Sequence, residues 1–308
     1  MTQSDAPGDG EPPFLDIVMP FWGDPGQFRL AVESVLAQDA GGWRLTILDD
    51  AYPDVAPGAW AAALDDPRVS YLRSAENRGV NGSFREAVRL AEAPYTVIMG
   101  CDDLLLPGYV RRIRALVDAH PSATYVQPGV EVIDGEGRLT RPLADRVKAA
   151  LRPRLEPGSA RELAGEPLAT SLLRANWTYF PSIAWRTDAL KRFDFRPDYE
   201  VVLDLALQIE IIEAGGRMVL DGVPVFRYRR HAASVSSWRA LEGSRFAEER
   251  RYLAEAASGM RRIGWTRAAR AAAMRATSRL NALSVLPRAL RGRDGAGARA
   301  LLRHGLGR

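Results

Sequence analysis

Two pairs of adjacent aspartates, Asp49-Asp50 and Asp102-Asp103, each close a short run of strand-forming residues, RLTIL before the first and YTVIMGC before the second. Side-by-side carboxylates at the end of a buried strand repel each other and lose hydration unless something cationic sits there. Mg²⁺ or Mn²⁺ suits such a site, because it takes one or two carboxylates and completes its coordination with phosphate oxygens and water. An ion holding a diphosphate in this way neutralises the charge that develops on a departing phosphate. In that arrangement Asp103 grips the metal and Asp102 contacts the nucleotide. A third acid, Asp204, opens the apolar stretch LDLALQIEIIEAGG (203–216). There Asp is favoured as a helix cap, and a carboxylate can also take a proton from a nucleophile.

Other chemistries find little support. One cysteine, Cys101, and 3 histidines in 308 residues exclude an internal disulfide and argue against a zinc cluster. Nothing beside Cys101 marks it as a nucleophile, and it reads as a small buried residue. No G-x-G-x-x-G follows the first apolar run, where PFWGDPGQ stands, and no G-x-x-x-x-G-K-[ST] occurs. The acids therefore carry what a glycine-rich loop would carry elsewhere.

The elements that must position these acids alternate. Strand-like runs LDIVMPF (15–21), RLTILDD (44–50), VSYLR (69–73) and YTVIMG (95–100) are separated by helical spacing in QFRLAVESVLAQ (27–38), around Trp60 to Leu64, and in SFREAVRLAEA (83–93). YVRRIRALVDAH (109–120) predicts another helix and ATYVQ (123–127) another strand. Such alternation implies βαβ units and a mostly parallel sheet flanked by helices, whose ligands bind beyond the carboxyl ends of the strands. The pattern blurs between Gly135 and Pro167. It resumes with a helix from Arg161 to Leu173, a strand SIAWR (182–186), the 203–216 helix closed by glycine, and two strands, RMVLD and VPVFRYRRH.

In this order, DIVMPFWG, AVESVLAQ, LTILDDAYPD, ENRGVNGSF, YTVIMGCDDLLLPGY, LDLALQIEIIEAGG and YRRHAASVS resemble the motifs of family 2 glycosyltransferases over residues 14–237. The resemblance implies a GT-A (Rossmann-like) α/β fold, a nucleoside-diphosphate-sugar donor, a divalent metal and an inverting hexosyl- or other glycosyl-transfer mechanism. Carried over by position, Pro20 and Phe21 line the base pocket, Asp49 or Asp50 hydrogen-bonds the base, and Asn77 and Gly79 lie in the nucleotide loop. Asp102 faces the ribose or sugar, Asp103 binds the metal, and His231 contacts the metal or phosphate. Arg229 and Arg230 are candidate phosphate partners, since guanidinium matches phosphate bidentately. Asp204 is the expected general base, eleven residues before Gly215. The family's preceding Glu is Leu203 here, and its Gly-Ser after the first aspartate pair is Ala51-Tyr52. Trp177, Tyr179 and Trp185 are candidates for an acceptor platform, with core packing as the other role for aromatic residues.

The expected organisation is a disordered tail (1–13), a transferase domain (14–237) and a basic helical extension (238–308). Within the domain, a nucleotide-sugar half (about 14–128) precedes an acceptor half (about 129–237). The tail lacks the basic start and apolar stretch of a signal peptide, and no apolar run reaches the roughly 20 residues of a membrane span, so a cytoplasmic location is expected. From Arg245 to Arg308 stand 15 Arg and 4 acidic residues, +11, whereas residues 1–244 carry 27 basic and 34 acidic residues, −7. The extension either lies on the anionic inner face of a membrane or packs on the domain with its arginines solvated. No motif accompanies it that would mark a nucleic-acid partner. The acceptor is a glycan, a lipid-linked or a small-molecule hydroxyl, in keeping with polysaccharide biosynthesis. Two rivals stand beside this reading: a sugar nucleotidylyltransferase, whose glycine-rich opening loop PFWGDPGQF lacks, and a non-catalytic sugar-binding or membrane-associated module.

Overall fold

The computed structural model describes residues 12–230, 244–291 and 295–306. Alternating apolar runs form β1 (Leu15–Phe21), α1 (Pro25–Leu36), β2 (Trp43–Asp49), α2 (Ala56–Ala62), β3 (Val69–Arg73), α3 (Gly79–Leu90) and β4 (Tyr95–Ile98). Asp24 caps α1 by accepting from the Gln27 N–H, and Pro25 opens the helix with its φ already set. β1 lies between β2 and β4 and runs parallel to both, while β3 runs parallel to β2 on the outer edge. The ends of β1, β2 and β4 therefore point to one edge of the sheet.

The expected parallel order holds for these four strands and becomes mixed beyond them. After β5 (Leu104–Leu105), α4 (Tyr109–Ala119) and β6 (Tyr125–Ile133) come α5 (Leu143–Leu151), β7 (Ala160–Ala164), α6 (Gly165–Arg174), β8 (Ala184–Arg186), α7 (Thr187–Phe193), α8 (Leu203–Glu213) and β9 (Arg217–Arg229). β8 is antiparallel to β4 and to β6, β9 is parallel to β6, and β5 and β7 pair with β9 in antiparallel sense.

Several elements differ from the sequence expectation, which held neither β5 nor α7. The blurred region contains α5. The helix expected from Arg161 begins only at Gly165, because Ala160–Ala164 pairs along the first half of β9 instead. RMVLD and VPVFRYR are one strand, β9, whose register against β6 shifts around Gly129. A Cβ at Gly129 would stand 2.5 Å from the Val223 carbonyl carbon, so glycine permits this close backbone approach.

Helices cover both faces. Phe28, Val32, Tyr109 and Ile113 of α1 and α4 pack on one face of β1 and β4. The other face carries a second core of Trp177, Trp185, Leu207 and Ile212, which continues into Tyr252, Leu253 and Met260. Those last residues belong to α9 (Ser244–Arg262), the first helix of the extension; α10 (Thr266–Met274), α11 (Ala276–Arg291) and α12 (Gly295–Gly305) follow. α8 is apolar nearly all round its axis, as a helix with neighbours on every side must be. Among the described residues no helix is long and apolar enough to cross a membrane. Residues 1–11 of the expected tail, and His231, lie outside the described residues.

Candidate active site

The edge of the sheet where β1, β2 and β4 end is built from the candidate residues and their neighbours. Phe21, fully buried, stacks on Phe28 at 4.0 Å between ring centroids and meets Tyr52 at 4.8 Å. Pro20, beside it, is half-buried. Asp49 has no exposed surface and is fully engaged: its Oδ1 accepts from the Tyr52 N–H at 2.8 Å, and its Oδ2 from Tyr71 Oη and Arg73 Nη1, both at 2.6 Å. Asp50 accepts from the backbone N–H groups of Arg78 (2.8 Å) and Gly79 (3.0 Å), while Asn77 Nδ2 donates to its carbonyl at 3.2 Å. The Asp50 carboxylate thus folds the loop 77–79 against the end of β2. Asn77 and Gly79 themselves stay exposed at its rim, with Gly79 at φ +70°. Ala51, where the family has Gly, takes φ +58°, a conformation that costs a residue with a Cβ.

Beyond β4 the chain turns through Gly100-Cys101-Asp102-Asp103 before β5. Asp103 is 1% exposed; its Oδ1 accepts from the Arg229 backbone N–H at 2.8 Å, and its Oδ2 has no hydrogen-bond partner among the described residues. A Cβ at Gly100 would lie 2.6 Å from this Oδ2 and 2.9 Å from Asp102 Oδ1. The two carboxylates therefore flank one point, and only a glycine leaves it open. Burial and the Asp102 charge push the Asp103 carboxyl well above the usual range, against the pull of Arg229 and Arg230. Arg229 holds the turn from behind the backbone: its guanidinium donates to the carbonyls of Asp102 (2.7 Å), Asp134 (3.1 Å) and Gly135 (3.0 Å). Burial and Asp102 raise the Cys101 thiol to about 12, so it stays protonated and unreactive.

Asp204 stands in the first turn of α8. Its Oδ1 accepts from the Leu205 N–H and its Oδ2 from Asn176 Nδ2, both at 2.8 Å. Asn176 is itself fixed, since its Oδ1 accepts from Thr178 Oγ1 at 2.6 Å and Gln208 Nε2 donates to that hydroxyl at 3.1 Å. Lys148 Nζ donates to the Thr178 carbonyl at 2.8 Å and sits 4.7 Å from the Tyr179 ring centre. Burial and then Arg230 bring its ammonium down to about 8, while Asp204 and Asp145 act in the opposite sense. Arg230 is bidentate on buried Asp145 (3.1 and 2.9 Å), which also accepts from Tyr179 Oη at 3.0 Å. Arg229 and Arg230, adjacent in the chain, thus tie the acidic turn to the polar wall beside Asp204.

The aromatic candidates separate. Trp177 and Trp185 are fully buried core residues and offer no face to a sugar, whereas Tyr179 is half-buried in the polar wall. Trp22 is 51% exposed, edge-on to Tyr52 at 5.6 Å beside the strand ends. Sequence reasoning missed Asp145, Lys148 and Asn176, because no spacing links residues that only tertiary packing brings together.

The family model for Glycosyl transferase family 2 matches residues 16–175, just over half of the chain. The chain belongs to this family. Over 39% of its length, it is 30% identical to the succinoglycan biosynthesis protein ExoO of Rhizobium meliloti, and the matched stretch covers 34% of that protein. The chain spans about a third or less of the curated relatives it matches. Its fold is that of GT-A glycosyltransferases. S. aureus TarS in complex with UDP-GlcNAc superposes with a TM-score of 0.61 at 14% identity, covering 78% of this chain and 66% of that one. The Pyrobaculum calidifontis mannosyltransferase PcManGT, in complex with GDP-Man and Mn²⁺, does so with a TM-score of 0.58 at 16% identity, covering 99% of this chain and 89% of that one.

Proposed function

We propose that this protein is an inverting glycosyltransferase that moves a sugar from a nucleoside-diphosphate sugar to an acceptor hydroxyl, with residues 14–237 as its transferase domain. The observation that carries the reading is the buried Oδ2 of Asp103, unpartnered among the described residues and facing the same opening as Asp102 at the end of β4. Two carboxylates that converge in this way fit a divalent cation, Mn²⁺ or Mg²⁺, better than they fit each other. Phosphate oxygens and water complete the coordination of such an ion, with His231, outside the described residues, as a further candidate ligand. When bound, such an ion acts as a Lewis acid that stabilises the negative charge on the leaving diphosphate.

The chain's own residues supply the rest. Asp50 holds the Asn77–Gly79 loop against the end of β2 at the nucleotide's side, with half-buried Pro20 as the apolar wall for the base, Phe21 packed into the core behind it, and Asp49 fixing the turn beneath it. Asp102 hydrogen-bonds the ribose or sugar, and Arg229 and Arg230 add positive charge near the phosphates. An acceptor hydroxyl is a poor nucleophile at neutral pH, so Asp204 takes its proton as the bond to the anomeric carbon forms. Two hydrogen bonds hold the Asp204 carboxylate, which has lone pairs to spare for this proton. Attack from the face opposite the diphosphate inverts the anomeric centre without a covalent enzyme intermediate. The UDP-GlcNAc of the TarS complex and the GDP-Man of the PcManGT complex are nucleoside-diphosphate sugars, and ExoO's name as a succinoglycan biosynthesis protein supports polysaccharide assembly as the process served.

The extension supports peripheral contact with an anionic lipid surface. Leu280, Leu283 and Leu290 of α11 share one face and are 66%, 37% and 59% exposed, and α12 carries exposed Arg299 and Arg303. A second copy would bring arginine against arginine, whereas anionic headgroups complement them. The activity itself is tested by incubating the protein with UDP- and GDP-sugars, Mn²⁺ and saccharide acceptors. Product should form with wild type, and Asp204→Asn should bind donor yet release no product. Unchanged turnover in Asp204→Asn refutes the base assignment, and release of pyrophosphate from a nucleoside triphosphate and a sugar phosphate favours the nucleotidylyltransferase.

A further inference from the structure

We infer that the C-terminal extension is a working part of the active site, and that Glu248 is the residue through which it positions Asp204. The inference rests on Asp204 serving as the base. α8 begins at Leu203, and its N-cap, Val202, contributes no side-chain hydrogen bond to the helix. A helix start leaves backbone N–H groups without intrahelical acceptors. Glu248 of α9 supplies an acceptor for the N-cap N–H and for the two N–H groups just before the helix: its Oε1 receives those of Glu200 (3.0 Å), Val201 (2.6 Å) and Val202 (3.0 Å). Three donors converging on one anionic oxygen at the positive end of a helix make a strong, directional anchor. Asp204 lies two residues beyond the last of them.

The same segment is held at further points. Arg251 Nη2 donates to the Asp198 carbonyl at 2.5 Å, and Tyr199 Oη donates to Glu255 Oε2 at 2.8 Å, both from α9. From the opposite side Asn81 Nδ2, two residues after Gly79 of the proposed nucleotide loop, donates to the carbonyls of Arg196 (2.7 Å) and Tyr199 (2.5 Å). Residues 196–202 thus form a strap gripped by the donor half and by the extension, and the strap delivers the base. Glu248 is its last anchor before Asp204. Letting that end slip by an ångström misaims a group that must meet the acceptor hydroxyl at hydrogen-bond distance, a displacement that can cost on the order of a hundredfold in rate.

The test uses the full chain and steady-state kinetics with a donor and acceptor that turn over. Glu248→Ala should lower kcat about 10- to 100-fold with donor KM unchanged, and Glu248→Gln, which keeps an acceptor oxygen, should recover most of the loss. Glu248→Asp keeps the charge but is one methylene short. It should lower kcat in the same way, and it serves if Glu248→Ala fails to fold. Met260→Ala, at the far end of α9 and fully buried, controls for destabilisation and should keep wild-type kcat at temperatures where circular dichroism shows it folded. Wild-type kcat in folded Glu248→Asp, or an equal kcat loss in Met260→Ala, overturns the inference. Turnover surviving in Asp204→Asn would instead remove the base assignment beneath it.

Discussion

Replacing Asp103 by Asn should make the ligand-free protein more stable and the liganded one less so. Burial and Asp102 raise the Asp103 carboxyl well above its unfolded value. A carboxyl raised in this sense stabilises the fold at low pH and loses that contribution as pH rises through the folded value, so at neutral pH the ligand-free chain carries the cost. An acceptor buried without a partner, as its Oδ2 is among the described residues, costs about 1–3 kcal/mol. An amide removes the charge and can present an N–H towards Asp102 while its oxygen keeps the Arg229 N–H. Relief of about 1–2 kcal/mol corresponds to a rise of roughly 1.5–3 °C in Tm for a chain of this size. With Mn²⁺ and a nucleotide sugar at a hundred times Kd, wild type should gain about 2.7 kcal/mol, and Asp103→Asn should gain little. Thermal-shift melts of both proteins, with and without Mn²⁺ plus UDP-GlcNAc or GDP-mannose, should therefore cross. A variant that melts below wild type without ligand, or that responds to metal and donor as wild type does, refutes the reasoning.

Other outcomes follow from the same geometry. Ala51→Gly, at φ +58°, should raise Tm by about 1–2 °C, since relief of about 1–2 kcal/mol of left-handed strain exceeds the entropy that glycine adds to the unfolded chain. Burial, with Arg275, Arg250 and Arg279 adding to it, lowers the His304 imidazole to about 4. Its contribution is complete above the unfolded value near 6.5 and is lost as pH falls towards 4, by at most about 3 kcal/mol and about 1–2 kcal/mol after solvent screening. Melts between pH 7.5 and 4.5 should show this slope in wild type and lose it in His304→Gln. Co-sedimentation should show binding to vesicles containing phosphatidylglycerol and not to pure phosphatidylcholine, weakened by salt and by Leu280→Ser/Leu290→Ser; salt-independent binding to both vesicles, or none to either, contradicts the lipid contact.

What the sequence disclosed is what local pattern encodes. The first four strands, the acidic turn after β4 and the glycine-closed α8 follow from runs of apolar residues and their terminators, and the ordered motifs led to the family. β7 was hidden because ARELA is as compatible with a helix turn as with a strand, and its pairing with β9 decides between them. The partners of the acids were hidden for a different reason. Asp49 spends itself on Tyr71 and Arg73, Asp145 on Arg230 85 residues later, and the start of α8 on Glu248, all choices made by packing. Trp177 and Trp185 went to the core because an indole buries more surface there than it could offer a sugar ring. The extension divides its leucines in a way that composition alone conceals, with Leu253 and Leu301 inward and Leu280, Leu290 and Leu302 left outside.

The central claim is that the paired acids after β4 coexist because a divalent ion and a diphosphate occupy the opening between them. Anomalous diffraction from crystals soaked with Mn²⁺ and a nucleotide sugar tests it most directly. The account predicts a manganese peak within coordination distance of Asp103 Oδ2, with the diphosphate completing the shell and the nucleoside against the Asn77–Gly79 loop. Donor density with no anomalous signal at Asp103, or a peak held by other side chains, would contradict it.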